Sequence, residues 1–171
     1  MTDVPSPQSL PPELLGLPRF VLWYEEERDG KLTKVPSAPW RTGHWGAASA
    51  TDPKNWTDFE TAYRWASKSQ GHGIGFVFNG DGIIGIDLDN CITREGFLTE
   101  LATRVVRRAD SYAELSPSGR GIHVLVRGRI PRSIRAKERG IEIYDRDRFF
   151  TLTGRKWKAV SYTHLTLPTK R

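Results

Sequence analysis

The chain has 171 residues, 37% of them hydrophobic and 27% charged, a balance that fits a soluble globular domain with its own core and excludes a disordered chain. No apolar run reaches the ~20 residues of a membrane helix, and the start has neither the basic flank nor the apolar stretch of a secretory signal. The only cysteine, Cys91, excludes an internal disulfide and a cysteine zinc cluster, so a reducing cytoplasm is the expected location. The net charge of +6 favours an anionic partner such as nucleic acid.

Residues 1–16, rich in Pro and Ser, read as a flexible leader and residues 17–160 as the folded domain. Phe20–Tyr24 and Leu32–Val35 read as strands of a hairpin with Asp29-Gly30 at its tip. Pro36–Ala50 reads as loop. Thr57 with Glu60 matches a capping box and predicts a helix to about Lys68, with Phe59, Ala62, Tyr63 and Ala66 on one face. Ile74–Phe78 and Ile83–Leu88, on either side of Asn79-Gly-Asp-Gly82, are expected to form a second hairpin. A second helix is expected from about Arg94 to Ala109 on the spacing of Phe97, Leu98, Leu101, Val105 and Val106. Its Arg104, Arg107 and Arg108 are candidates for nucleic-acid phosphates, or simply a solvated face. Tyr112–Leu115, Ile122–Val126, Ile141–Tyr144 and Phe149–Leu152 are further extended segments. The expected fold class is α+β, a curved, mainly antiparallel sheet with flanking helices. Residues 161–171 break the character of the chain and resemble a translated sequencing-adapter read-through. They are read as a non-native tail, with the native product free to continue past Val160.

Three segments could carry chemistry. In Gly85-Ile-Asp-Leu-Asp89, strand alternation sends Ile84, Ile86 and Leu88 to the core and Asp87 and Asp89 to the other face, about 6–7 Å apart. Two carboxylates so placed suit Mg²⁺ or Mn²⁺, which could hold a triphosphate and activate a 3′-hydroxyl; alone, the pair also fits two solvated aspartates beside a turn. In Ser116-Pro-Ser-Gly-Arg-Gly-Ile-His123, Gly119 and Gly121 permit a tight turn, the Ser116 and Ser118 hydroxyls could meet phosphate, and His123 opens the next strand. The alternative is a hairpin whose serines satisfy their own backbone. In Ile141-Glu-Ile-Tyr144, Glu142 lies opposite the apolar pair, where it could share a metal with the aspartates or face solvent.

Taken together and in this order, these segments resemble the three motifs of the archaeo-eukaryotic primase superfamily. The closer resemblance is to the bifunctional primase-polymerase domains at the N-termini of phage and plasmid replication proteins. Ile141–Asp145 followed by Arg148-Phe-Phe-Thr-Leu-Thr-Gly154, Lys31–Pro36 and Gly73–Phe78 share it, so it spans roughly Phe20 to Gly154. The resemblance implies a catalytic core with an RNA-recognition-motif-like subdomain and template-directed nucleotidyl transfer by a two-metal mechanism. It implies Asp87, Asp89 and Glu142 as catalytic Mg²⁺ or Mn²⁺ ligands, and His123 on the incoming nucleotide's phosphates with Ser116 and Ser118 in support. Lys34 and Arg148 would contact triphosphate or template. The implied partners are nucleoside triphosphates, single-stranded or primed DNA and a helicase domain or protein. A non-catalytic nucleic-acid-binding domain and a metal-dependent nuclease are the rival readings. Tyr144 is a further residue that could face the site.

Overall fold

β-branched and aromatic residues make Phe20–Arg28 the first strand, β1, in a computed structural model that describes residues 4–157. It turns at Asp29 and Gly30, both at positive φ (52° and 72°), the backbone a tight two-residue hairpin requires, and returns as β2 (Lys31–Ser37). Strand β3 (His72–Asn79) pairs antiparallel with the other edge of β1. The expected first hairpin is therefore present. Pro36–Ala50, expected as loop, contains a short helix, α2 (Pro39–Thr42).

The second expected hairpin is not formed. β3 and β4 (Ile83–Leu88) belong to different sheets. β3 is already flanked by β1 and by β9 (Arg146–Leu152), giving a four-stranded sheet in the order β2-β1-β3-β9. The Gly80-Asp-Gly82 turn, with both glycines at positive φ, carries the chain across to a five-stranded sheet instead. That sheet comprises β4, β5 (Ala113–Leu115), β6 (Ile122–Arg127), β7 (Ile134–Ala136) and β8 (Ile141–Tyr144), in the order β5-β6-β4-β8-β7. Every pairing in both sheets is antiparallel, so the fold is α+β and antiparallel as expected, with its strands divided between two sheets. The chain crosses back between β8 and β9, and the two crossings are joined by the Gly80 N–H donating to the Asp145 carbonyl at 2.6 Å. β4, β6, β5 and β8 have the order of a split β-α-β unit, with β7 where a second helix would stand. β7 had no signal in the sequence.

Helix α3 (Phe59–Ala66) is capped by Asp58, whose carboxylate accepts from Thr61 N at 2.7 Å; Thr57 instead pairs its backbone with Phe20. The expected Thr57 capping box is corrected accordingly. Helix α4 (Glu100–Ala109) starts later than expected because Ile92 and Leu98 pair across a loop, leaving Phe97 exposed, and Thr99 is the N-cap. α4 packs Ala102, Val106 and Ala109 on one face of the five-stranded sheet, against Ile84, Leu88, Ile122, Val124 and Val126. Its Arg104, Arg107 and Arg108 lie on the exposed side, away from that sheet.

The other face of this sheet is divided in two. Its apolar half, Ile83, Leu125 and Tyr144, joins Phe78, Phe150, Phe76 and Leu152 of the four-stranded sheet in the main core, where each large buried side chain contributes about 1.5–3 kcal/mol. Its polar half is left for the site. Residues 1–16 do not behave as a loose leader where they are described: Leu10 and Leu14, the latter in the short helix α1 (Pro12–Leu15), are buried in that core. Proline-rich flanks there bring two leucines to an apolar surface. Among the described residues no helix is long and apolar enough to cross a membrane. The proposed tail, 161–171, lies outside the described residues.

Candidate active site

Register places one polar row across the five-stranded sheet. Glu114 pairs with His123, His123 with Asp87, Asp87 with Glu142, and Glu142 with Arg135. Direct cross-strand partners share a face, so these five side chains stand on the side of the sheet that α4 does not cover. Asp89 follows β4 in an exposed turn. Its N–H donates to Gly140 O at 2.9 Å, and a Cβ on Gly140 would come within 2.8 Å of the Asp89 carbonyl. Gly140 also sits at φ 66°, so both backbone angle and contact call for glycine beside this aspartate.

A cleft of about 250 Å³ opens over the row. Asp87, His123, Glu142 and Tyr144 form one wall, Lys34 and residues 148–151 of the edge strand β9 the other, with Lys137 in the short turn between β7 and β8. Burial raises the Asp87 carboxyl above the ordinary aspartate range; Asp89 and Glu142 push the same way, while His123 and Lys34 oppose them. Glu142 Oε1 is buried with no hydrogen-bond partner. The Tyr144 phenol beside it is pushed up to about 12 by burial and then by Glu142. The Lys34 ammonium is lowered by desolvation and partly restored by Asp87, Glu25 and Asp89. The guanidinium groups of Arg148 and Arg135 stand over the Tyr144 ring at 5.2 and 5.8 Å, within cation–π range. The arrangement is an under-satisfied acidic centre bordered by cations.

His123 is buried at the centre of the row. Its Nε2 lies 3.7 Å from Asp87 Oδ1 and its Nδ1 3.7 Å from Glu114 Oε1, both beyond hydrogen-bond range. The Phe150 ring stacks on the imidazole at 4.6 Å and 25°. Glu114 is fully buried and accepts from Tyr112 Oη at 2.7 Å and from the N–H groups of Thr153 and Gly154 at 3.0 and 2.8 Å.

Ser116 and Ser118 lie in the β5–β6 turn and do not line the cleft. Ser116 Oγ accepts from Gly121 N at 3.1 Å and is 3.0 Å from Ser118 Oγ, which accepts from Arg120 N. A Cβ on Gly121 would come within 2.7 Å of the Leu88 carbonyl, so this turn presses on the end of β4 next to Asp89. The structure thus gathers Lys34, Asp87, His123, Glu142 and Arg148 at one cleft, with Asp89 in the turn that follows β4 and the two serines in the neighbouring turn. Tyr144 does face the cleft. Sequence reasoning missed Glu114, Arg135, Lys137 and Phe150. For Glu114 a signal existed, an acid alternating with Ala113 and Leu115 in a short strand, the same pattern that singled out Glu142.

Among the described residues no three His, Cys, Asp or Glu side chains enclose a metal position by themselves. A Mg²⁺-type ion does not require that, since one or two carboxylates with substrate phosphates and waters complete its shell. Asp87 opposite Glu142, with a partnerless buried oxygen on Glu142, fits such a partial donor set.

No protein-family model matches the chain. Among curated proteins, the chain is similar to a DNA primase-polymerase of Nitratiruptor phage NrS-1, at 34% identity over 152 residues. The match takes in 84% of this chain and 20% of that protein, so the chain spans about one fifth of the relative's length.

Proposed function

We propose that this chain carries the catalytic domain of a primase-polymerase, a nucleotidyltransferase that extends a nucleic-acid strand on a DNA template in phage or plasmid replication. The observation that carries the proposal is the row Glu114–His123–Asp87–Glu142, which sets an acidic pair beside an imidazole and under Lys34 and Arg148. The similarity to a phage primase-polymerase supports it. A purely binding role would leave the desolvated carboxylates without a purpose, while a metal-dependent nuclease, which also uses carboxylates, would leave the Ser116–His123 segment without a clear job.

In this reading Asp87, Asp89 and Glu142 hold Mg²⁺ or Mn²⁺, which when bound supplies polarisation of the α-phosphate and a more acidic 3′-hydroxyl. The 3′-oxygen bonds to the α-phosphorus, the α–β bridging bond breaks, pyrophosphate leaves and the hydroxyl proton passes to water. His123 directs Nε2 toward the triphosphate. Lys34 and Arg148, on the opposite wall, offset phosphate charge and orient the chain of phosphates. Phe150 holds the imidazole plane by stacking. Ser116 and Ser118 support the site through the turn they stabilise. Nucleoside triphosphates, single-stranded or primed DNA and a helicase domain or protein are the partners this reading implies. Incubation with a primed DNA template, nucleoside triphosphates and Mn²⁺ tests it. Extension of the primer is expected; cleavage of the template, or binding with no extension, would replace it with the nuclease or binding-module reading.

A further inference from the structure

We infer that Glu114 is the positioning residue for His123, its remaining acceptor site on Oε1 taking the imidazole Nδ1–H and so fixing the ring with Nε2 toward the nucleotide, to whose phosphates it donates when both ring nitrogens carry a proton. The inference rests on reading the cleft as a nucleotide site. The three donors on Glu114 leave one of its roughly four acceptor positions over. His123 Nδ1 is buried with no hydrogen-bond partner, and Glu114 Oε1 lies 3.7 Å away. A buried ring nitrogen left without a partner is costly, and a shift of under about 1 Å would bring this pair to hydrogen-bond distance.

Geometry limits how that shift can occur. Phe150 stacks on one face of the ring, so the imidazole slides in its own plane more readily than it tips. Glu114 lies on the Nδ1 side of the ring and Asp87 on the Nε2 side, the three residues being successive partners across β5, β6 and β4. Glu114 itself cannot follow the ring, since the Thr153 and Gly154 amides and the Tyr112 hydroxyl anchor it. A fixed carboxyl behind a histidine selects which nitrogen bears the proton and where the other points. Were Glu114 only a clasp for the end of β9, nothing would require it to stand opposite His123.

A double-mutant cycle read by nucleotide binding tests this, with Glu114→Gln and His123→Ala made singly and together. ATP or dATP with Mn²⁺ is titrated into each protein. Each single change should weaken binding about tenfold, in the range seen when an orienting partner is removed. The double variant should be within about twofold of His123→Ala alone. Effects that multiply in the double variant would make Glu114 a structural clasp and overturn the inference, as would unchanged affinity in a folded Glu114→Gln protein. If Glu114→Gln does not fold, Glu114→Asp, which keeps the charge but withdraws it from Nδ1, goes through the same cycle with the same expectations. Imidazole ¹⁵N spectra of the metal-free protein supply a readout that needs no nucleotide. His123 Nδ1 should be protonated in the unaltered protein and lose that preference when Glu114 is changed; an identical Nδ1 state in both would also overturn the inference. Absence of triphosphate binding by the unaltered protein would instead sink the nucleotide reading, while the spectra would still decide the role of Glu114.

Discussion

Asp87 and Glu142 are direct register partners on β4 and β8, two acidic side chains facing the same way from adjacent strands. Like charges directly opposite destabilise a sheet, and here the raised Asp87 carboxyl and the partnerless Glu142 oxygen add desolvation to repulsion. Such a pair makes physical sense as a site held ready for a cation.

The first prediction follows from that tension. Asp87→Asn removes one charge and keeps the shape, so the metal-free protein should melt higher, by about 0.5–2 kcal/mol in stability. Nucleotide addition should fall by about 100-fold or more, because the metal-borne stabilisation of the transition state is worth several kcal/mol. Thermal melting and primer extension on the same preparation check both halves. A variant that is less stable and equally active would contradict each in turn.

Lys34→Ala and Arg148→Ala should act on nucleotide affinity. Both cations line the same cleft as Asp87, and their proposed partner is the triphosphate. Each should raise KM by about tenfold with a smaller change in kcat, the pattern of a contact made alike in ground and transition states. By contrast, Arg107→Ala and Arg108→Ala, on the far side of the five-stranded sheet, should leave nucleotide KM within about twofold, as distant independent sites do. Steady-state kinetics with a primed template separates the two groups.

The helix cap gives a stability prediction with a definite pH sign. The backbone hydrogen bond from Thr61 is the main cause holding the Asp58 carboxyl below its ordinary value of 3.8. A depressed carboxylate pKa contributes stability above the unfolded value and loses it as pH falls through the folded one. Asp58→Ala should therefore cost about 1 kcal/mol at neutral pH, and its gap from the unaltered protein should close as pH falls from 3.8 downward. Thr57→Ala, which removes no cap, should cost less than about 0.5 kcal/mol. Denaturant unfolding at several pH values distinguishes the two residues.

How far the sequence could be read depended on the range of the interactions. Local patterns were legible: Asp29-Gly30 set the β1–β2 turn, and alternation in β4 and β8 put Asp87 and Glu142 opposite their apolar neighbours. Partnership over distance was not. The Gly80-Asp-Gly82 turn looks like a hairpin tip, and only the competition of β1 and β9 for the edges of β3 sends β4 to another sheet. β7 is too short, at three residues, for its alternation to stand out, and as an edge strand it leaves Ile134 exposed. Glu114 gained its meaning from pairing with His123 and from the amides of Thr153 and Gly154, some 40 residues later. For Ser116 and Ser118 the sequence left open phosphate contact or self-satisfied backbone, and only the folded turn supplies the Gly121 and Arg120 N–H groups they accept from.

The last prediction concerns Gly85, which ties the packing of the two sheets to the site. It lies on the same face of β4 as Asp87, one alternation away. A Cβ there would collide with the rings of Phe78 and Phe150, which pack edge to face against each other at 4.9 Å. Neither ring can retreat, since Phe78 contacts Phe76 in the main core and Phe150 lies against His123. Gly85→Ala should therefore destabilise by about 1–3 kcal/mol through overpacking. The strain should not stay in the core. Phe150 is the ring that stacks on His123, so its displacement should disturb the imidazole and weaken triphosphate binding, although residue 85 touches no proposed ligand. Phe150→Leu in the Gly85→Ala background relieves the collision while removing the stack. Melting temperature should then partly recover and nucleotide affinity should not. Recovery of both together would show that Phe150 matters only as core, and failure of both would place the strain on Phe78 instead.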